Sequence, residues 1–346
     1  MKKTLVAIAA LTAIGAFAQS SVTLGGGVDL RLAIGNGDVS NKTAMAKNGV
    51  TSSKLFISAT EDLGGGLKAN IFMDADLNPD NGTSGSTSLD NQTTVAGNGG
   101  LIFGRKSTIS LMGGWGEIRL GRDYTPHFWN YTFYDPFGTQ GVASNLALTG
   151  STGGLTTVRA SNSFGYLSPS FGGFNAQVQT YLGENSSNAA APAGSNAGSG
   201  SSVRLAYAQG PISVGLSYGK TTTSVSTDVT SSSLGGSYDL GVVKIMGSYN
   251  RDENTGLPDT KGFVFGVTAP VGSGLVKAAI SQTDTNGAIG KMLGLGYEYN
   301  LSKRTGVYAT IATISNSGGA RFAANGATTN VNGGSTGFDL GVKHTF

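Results

Sequence analysis

The sequence predicts an all-β chain, a transmembrane antiparallel β-barrel of about sixteen strands. Three observations predict it. Segments of roughly ten residues, rich in Gly, Thr, Ser, Val and Tyr, run the whole length of the chain; within them apolar and polar residues alternate; and very short turns take turns with longer polar connections. Short turns at one end and longer loops at the other distinguish a membrane barrel from other alternating sheets.

The chain begins with Lys2 and Lys3, an apolar run from Leu5 to Phe17, and the small-residue exit Ala16-Phe17-Ala18. That is the pattern of a secretory leader over residues 1–18, with Gln19 heading the remaining domain, 19–346. The run falls short of the ~20 residues a helical span requires, which argues against an uncleaved anchor. Behind it no composition break or linker divides the chain. Gly contributes 56 of 346 residues, Cys none, and charged residues 12%. Neither a disulfide scaffold nor a charge-rich disordered chain fits. Formal net charge is +3, two units of which come from Lys2 and Lys3, so nothing suggests a nucleic-acid partner.

Period-2 alternation assigns the faces. Val22, Leu24, Val28, Leu30 and Leu32 share one parity, with Thr23, Asp29 and Arg31 on the other. Phe338, Leu340, Val342, His344 and Phe346 stand opposite Asp339, Gly341, Lys343 and Thr345. Leu293, Leu295, Tyr297 and Tyr299 repeat the pattern, as do Val243, Ile245, Gly247 and Tyr249. Alternation alone fits a soluble sandwich as well as a barrel. The spacing of turns favours the barrel. Short turns are expected at 62–66, 113–116, 168–173, 209–211, 239–241, 270–274 and 300–303, with a long polar loop between successive ones. This walk yields about sixteen strands, an even number that leaves both termini on one side around a water-filled lumen. Since hydrocarbon offers no partner to an open edge, the first strand must pair with the last, which runs to Phe346. Tyr207, Tyr218, Tyr249, Tyr297 and Tyr299 are expected in an interfacial aromatic girdle.

The phrases Gln19-Ser20-Ser21-Val22-Thr23-Leu24, Thr60-Glu61-Asp62-Leu63-Gly64-Gly65-Gly66-Leu67-Lys68, Leu120-Gly121-Arg122, Asp135-Pro136-Phe137-Gly138-Thr139, Ser168-Pro169-Ser170-Phe171-Gly172-Gly173-Phe174 and Leu301-Ser302-Lys303-Arg304-Thr305 follow one another along the chain. In that order they resemble the trimeric general diffusion porins of β-proteobacteria. The resemblance implies a sixteen-stranded outer-membrane barrel, three to a trimer, set in lipid and lipopolysaccharide. It also implies passive passage of small hydrophilic solutes and anions, and presentation of the terminal Phe346 to the outer-membrane assembly machinery. Gln19 and Phe346 would mark barrel closure. A third loop, here about 125–157, would fold inward and narrow the pore. Its aromatic residues, among them Phe128, Trp129, Tyr131, Phe133 and Tyr134, need cover from water whatever the family, either in the lumen or at a subunit contact.

By the same resemblance, cations on the wall face acids on that loop. Arg105 and Arg159 match the pattern, and Lys54 stands where Arg is usual, keeping the charge but losing the planar fork. Arg31, on the wet parity of the first strand, is a fourth expected lumen cation without a family counterpart. Asp135 is the expected loop acid and Asp123 a second. A clustered positive wall implies weak anion selectivity, which Asp29, Asp123 and Asp135 could cancel.

Other classes fare worse. The histidines are His127 and His344, and neither has a neighbouring nucleophile motif, so an enzyme is not expected. No cofactor is implied. Asp74 and Asp76 alternate into the lumen but lack calcium-loop spacing, so no metal site is expected. A substrate-specific channel would need an aromatic track along the lumen. An adhesin would need more than the bland Gly, Ser, Ala and Asn loops at 185–201 and 316–335.

Overall fold

The computed structural model describes residues 20–88, 90–95, 100–149, 156–191, 194–256 and 258–346. The expected leader, and Gln19 with it, lie outside the described residues. The strands in chain order are β1 (Ser21–Gly37), β2 (Lys42–Lys47), β3 (Lys54–Gly64), β4 (Leu67–Asn78), β5 (Thr83–Ser84), β6 (Thr87–Ser88), β7 (Thr94–Val95), β8 (Lys106–Gly113), β9 (Gly116–Tyr124) and β10 (Arg159–Leu167). They continue as β11 (Phe174–Tyr181), β12 (Gly200–Gln209), β13 (Ile212–Ser224), β14 (Thr227–Asp239), β15 (Lys244–Asn254), β16 (Thr260–Val271), β17 (Gly274–Thr285), β18 (Ala288–Asn300), β19 (Thr305–Ser317) and β20 (Ser335–Thr345). Helices α1 (Pro126–Phe133) and α2 (Asn145–Thr149) interrupt the run between β9 and β10.

Sixteen of these strands form one closed antiparallel barrel: β1, β3, β4 and β8 through β20. β2 extends the wall beside the upper half of β1, and β5 to β7 are short pieces within one loop. Closure runs from Gly27↔Thr345 to Gly37↔Ser335, and Phe346 exchanges two backbone hydrogen bonds with Gly26, both 3.1 Å. Each of the sixteen barrel strands thus has a neighbour on both sides, as hydrocarbon, which offers no hydrogen-bond partner to an open edge, requires. The faces follow the predicted parity, inverted relative to a soluble protein. Leu293, Leu295, Phe265 and Leu340 are more than half exposed on the outside, whereas Ser217, Ser233, Asn250 and Asp339 are buried within.

All seven expected short turns join strands at the end that carries both termini. The other end departs from the expectation of uniformly long loops. Residues 225–226 link β13 to β14 and residues 286–287 link β17 to β18, each a tight hairpin. At the second, Asn286 and Gly287 have φ of 52° and 88°, the left-handed pair that a two-residue type I′ turn demands.

The segment between β9 and β10 turns into the lumen, which decides between the two covers left open for its aromatics. Thr125 starts α1, its side chain accepting from the Phe128 amide, and Pro126 supplies a preset helical φ in the first turn. Beyond the helix, Phe137, Val142, Ala143 and Leu148 pack on Val264, Ala279, Met292, Ala312 and Ile314 of the inner wall. The buried apolar core of the molecule therefore lies between loop and wall. Polar ties reinforce it: the Asn130 side-chain amide donates to Ser233 Oγ (2.9 Å) and Gly215 O (3.0 Å), and Val142 N donates to Asp339 Oδ2 (2.7 Å).

Candidate functional site

With one face of the loop held to the wall of β13–β20, its other face looks across the lumen at β3, β4 and β8–β10. Between the two lies a cavity of about 410 Å³. Phe128, Trp129, Thr132, Gly138, Thr139 and Gln140 line it from the loop. Lys54, Phe72, Asp74, Arg105, Lys106, Tyr124 and Arg159 line it from the wall, with Val50, Thr51 and Ser52 at one edge. Among the described residues, four cationic side chains and one carboxylate border this passage, and the loop contributes hydroxyls, an amide and rings but no acid.

Tyr124 organises the cations. Its hydroxyl accepts from Arg105 Nη2 at 2.6 Å and from Arg159 Nη2 at 2.9 Å, and its ring lies 4.4 Å below the Arg159 guanidinium carbon. Two cations are thereby held side by side with one shared acceptor, an arrangement that repulsion alone would open. Arg105 is anchored further by Asp74 (3.2 Å) and lies 3.6 Å from Asp76, so much of its charge is compensated. Lys106 stands 3.6 Å from Asp123 and over the Phe72 ring at 5.0 Å. Lys54 lies 5.7 Å from the centre of the Phe56 ring. No ion pair is formed by Lys54 or Arg159 among the described residues, which makes these two the least compensated charges on the passage.

Of the residues expected here from sequence, Lys54, Arg105 and Arg159 come together. The other three do not. Arg31 pairs with Asp339 and donates to Asn325 and to the Lys47 carbonyl, away from the cavity. Asp123 belongs to the wall, not to the loop, and is bound by Arg119 (2.5 Å) and Lys106. Asp135 does belong to the loop, yet it is only 3% exposed and faces inward: its carboxylate accepts from the backbone of Phe137 and Asn145, each at 2.8 Å. Burial pushes its carboxyl up to about 6 against the pull of those amides. Its role is to brace the turn at 135–138, not to present charge to solutes.

Lys106 and Tyr124 escaped the sequence reading. Arg105 and Lys106 are neighbours, and strict alternation would send them to opposite faces. Both reach the cavity because Arg105 precedes the first residue of β8, where the pleat is not yet established. Tyr124, the last residue of β9, gives no signal beyond its place before the loop. Asp74 and Asp76 lie on the lumen side as their parity predicts, but nothing in the sequence names the arginine they restrain.

A closed barrel, apolar outside and wet within, narrowed midway by its own loop beside a cationic wall, defines a membrane channel that crosses by strands. The chain belongs to the Gram-negative porin family, whose model matches residues 4–319. It is 33% identical to outer membrane porin protein 32 of Delftia acidovorans over the whole of both chains. It is 30% identical to an outer membrane porin of Bordetella pertussis, covering 89% of this chain and 93% of that one. Its fold superposes on an anion-selective porin from Comamonas acidovorans with a TM-score of 0.83 at 32% identity, over 95% of this chain and 100% of that one. OmpT of Vibrio cholerae shares the fold at a TM-score of 0.63 and 15% identity, over 94% and 98% of the two chains. The protein is a general diffusion porin of the bacterial outer membrane.

Proposed function

We propose that the passage bordered by Lys54, Arg105, Lys106 and Arg159 is the constriction, and that it makes the channel weakly anion-selective. The observation that carries this reading is the imbalance across it, four cations against the one carboxylate of Asp74. In a narrow, low-dielectric throat, wall charge raises the local concentration of counter-ions and lowers that of co-ions. Lys54 and Arg159 are assigned the largest part because neither forms an ion pair among the described residues. The similar Comamonas acidovorans protein is an anion-selective porin, which agrees with this assignment.

On the same family grounds, the barrel acts as a homotrimer in lipid and lipopolysaccharide, residues 1–18 are a cleaved leader ahead of the barrel domain, and Phe346 is the handle for the outer-membrane assembly machinery. A catalytic role is not assigned. His127 is 2% exposed, its Nδ1 meets Ser217 Oγ at 3.0 Å, and burial holds its imidazole down at about 4, the setting of a structural histidine.

The test is the reversal potential of the purified protein in a planar bilayer under a salt gradient. An anion-directed potential supports the proposal, and a cation-directed or vanishing one overturns the selectivity.

A further inference from the structure

The loop lies against a row of small residues that crosses the inner wall from strand to strand. Gly266 pairs with Ala279, Ala279 with Gly294, Gly294 with Ala312 and Ala312 with Gly337, five cross-strand partners over β16 to β20. All five point inward. On β13 and β14 the directly paired Gly215 and Gly235 make a second, shorter stretch of the same kind. Because paired residues share a face, such a row is a shallow trough in a wall that elsewhere carries side chains.

The loop fills that trough along most of its length. A Cβ on Gly215 would stand 2.5 Å from Asn130 Oδ1, and one on Gly235 would run into the Tyr134 ring. One on Gly294 would stand 2.5 Å from the Ala143 Cβ, and one on Gly337 2.5 Å from Val142 Cγ2. Ordinary contact begins at 3.4 Å, and at Gly294 and Gly235 the opposing atoms, the Ala143 Cβ and the base of the Tyr134 ring, sit close to the loop backbone, so each methyl missing there corresponds to about 1 Å of loop position; at Gly215 and Gly337 the atoms met are side-chain ends that yield more readily. The direction of that ångström is fixed: the loop stands between this wall and the cationic one, so whatever lifts it off the glycines drives it into the cavity.

We propose that these glycines, chiefly Gly235 and Gly294 with Gly215 and Gly337 beside them, are positioning residues that set the bore of the channel. They touch no solute. By letting the loop lie against backbone, they hold it back from Lys54 and Arg159 and keep the passage open. This rests on the constriction reading only in taking the cavity as the narrowest conducting point. Selectivity for anions could fail while the bore assignment stood, since the one is read by reversal potential and the other by conductance.

The experiment is single-channel conductance of the full-length refolded protein, with a steric swap. Gly294→Ala is expected to lower conductance at least about 1.2-fold as the loop advances by ~1 Å into the throat. Adding Ala143→Gly, which removes the opposing methyl, is expected to restore it. Gly165→Ala adds the same methyl to the lumen wall of β10, where the nearest atom is a carbonyl oxygen 3.6 Å away, and is expected to change nothing. Gly235→Ala, in the shorter stretch, meets the base of the Tyr134 ring, carries the same expectation as Gly294→Ala and stands in for it should that variant fail to assemble. Wild-type conductance in correctly folded Gly294→Ala or Gly235→Ala overturns the proposal, as does a loss in Gly294→Ala that the Ala143→Gly partner leaves uncorrected.

Discussion

Replacing Arg159 by Gln removes one of the two least compensated charges from the passage while sparing the barrel wall. The magnitude follows from distance. A monovalent ion passing ~5 Å from the guanidinium in water-like surroundings feels about 0.8 kcal/mol, reduced to roughly 0.5 kcal/mol by screening at ~0.1 M salt. That energy favours an anion and opposes a cation, so their permeability ratio changes by the product of two factors of about 2.3, roughly five-fold in all. Lys54→Gln should act in the same direction and by a similar amount. Arg105→Gln should act less, because Asp74 and Asp76 already offset that charge. The control is Lys220→Gln: Lys220 lies on the outer face, paired with Asp228 at 2.8 Å, and should leave selectivity alone. Reversal potentials under a ten-fold salt gradient read all four. An Arg159→Gln channel that keeps its wild-type reversal potential, or a Lys220→Gln channel that shifts as far, would refute the reasoning.

The remaining predictions concern the loop and the closing strand. Asp135 has a folded-state pKa raised to about 6, so its contribution to stability is complete below its ordinary value near 4 and is lost as pH rises through 6; His127, lowered to about 4, contributes fully above about 6.5 and loses that as pH falls through 4. Across pH 4 to 6 the two oppose each other at about 3 kcal/mol each, so Asp135→Asn should become less heat-stable than wild type by a growing margin on acidification; parallel heat-denaturation curves at pH 6.5 and 4.5 would count against the linkage. Asp339→Ala takes the acceptor from Val142 N and the partner from Arg31, leaving a buried amide unsatisfied at a cost of about 1–3 kcal/mol, and should make the open-channel current noisier without abolishing it. Phe346→Ala keeps the backbone hydrogen bonds to Gly26, so the variant refolded in detergent should conduct normally while less of it assembles in cells; equal assembly would remove the handle role.

Much of this architecture is legible because a membrane barrel writes its structure locally. Each strand must turn an apolar row to lipid and a polar row to water, so parity along Val22–Leu32 or Leu293–Tyr299 reveals which way every side chain points. The seven short turns are recognisable from Gly, Pro, Asn and Asp, whose backbone preferences act within four residues. The two tight hairpins at the opposite end escape the same reading, although Asn286-Gly287 is itself a strong turn signal. A regular succession of short turns and long loops does not oblige every loop to be long.

What the sequence by itself determined was therefore the barrel, its faces, its closure and the membership of Lys54, Arg105 and Arg159 in the lumen wall. Tertiary structure alone decided how those charges are used. Whether an acid confronts the passage depends on which way a loop carboxylate turns. Asp135 turns to the amides of Phe137 and Asn145, a choice made by the curl of the chain and not by its order. Likewise Tyr124 gathers Arg105 and Arg159, and glycines from β13, β14, β18 and β20 come to face one loop, only when the sheet closes. Period 2 fixes the face of a residue, but its height and its neighbour across the lumen come from register and from the loop that fills the space.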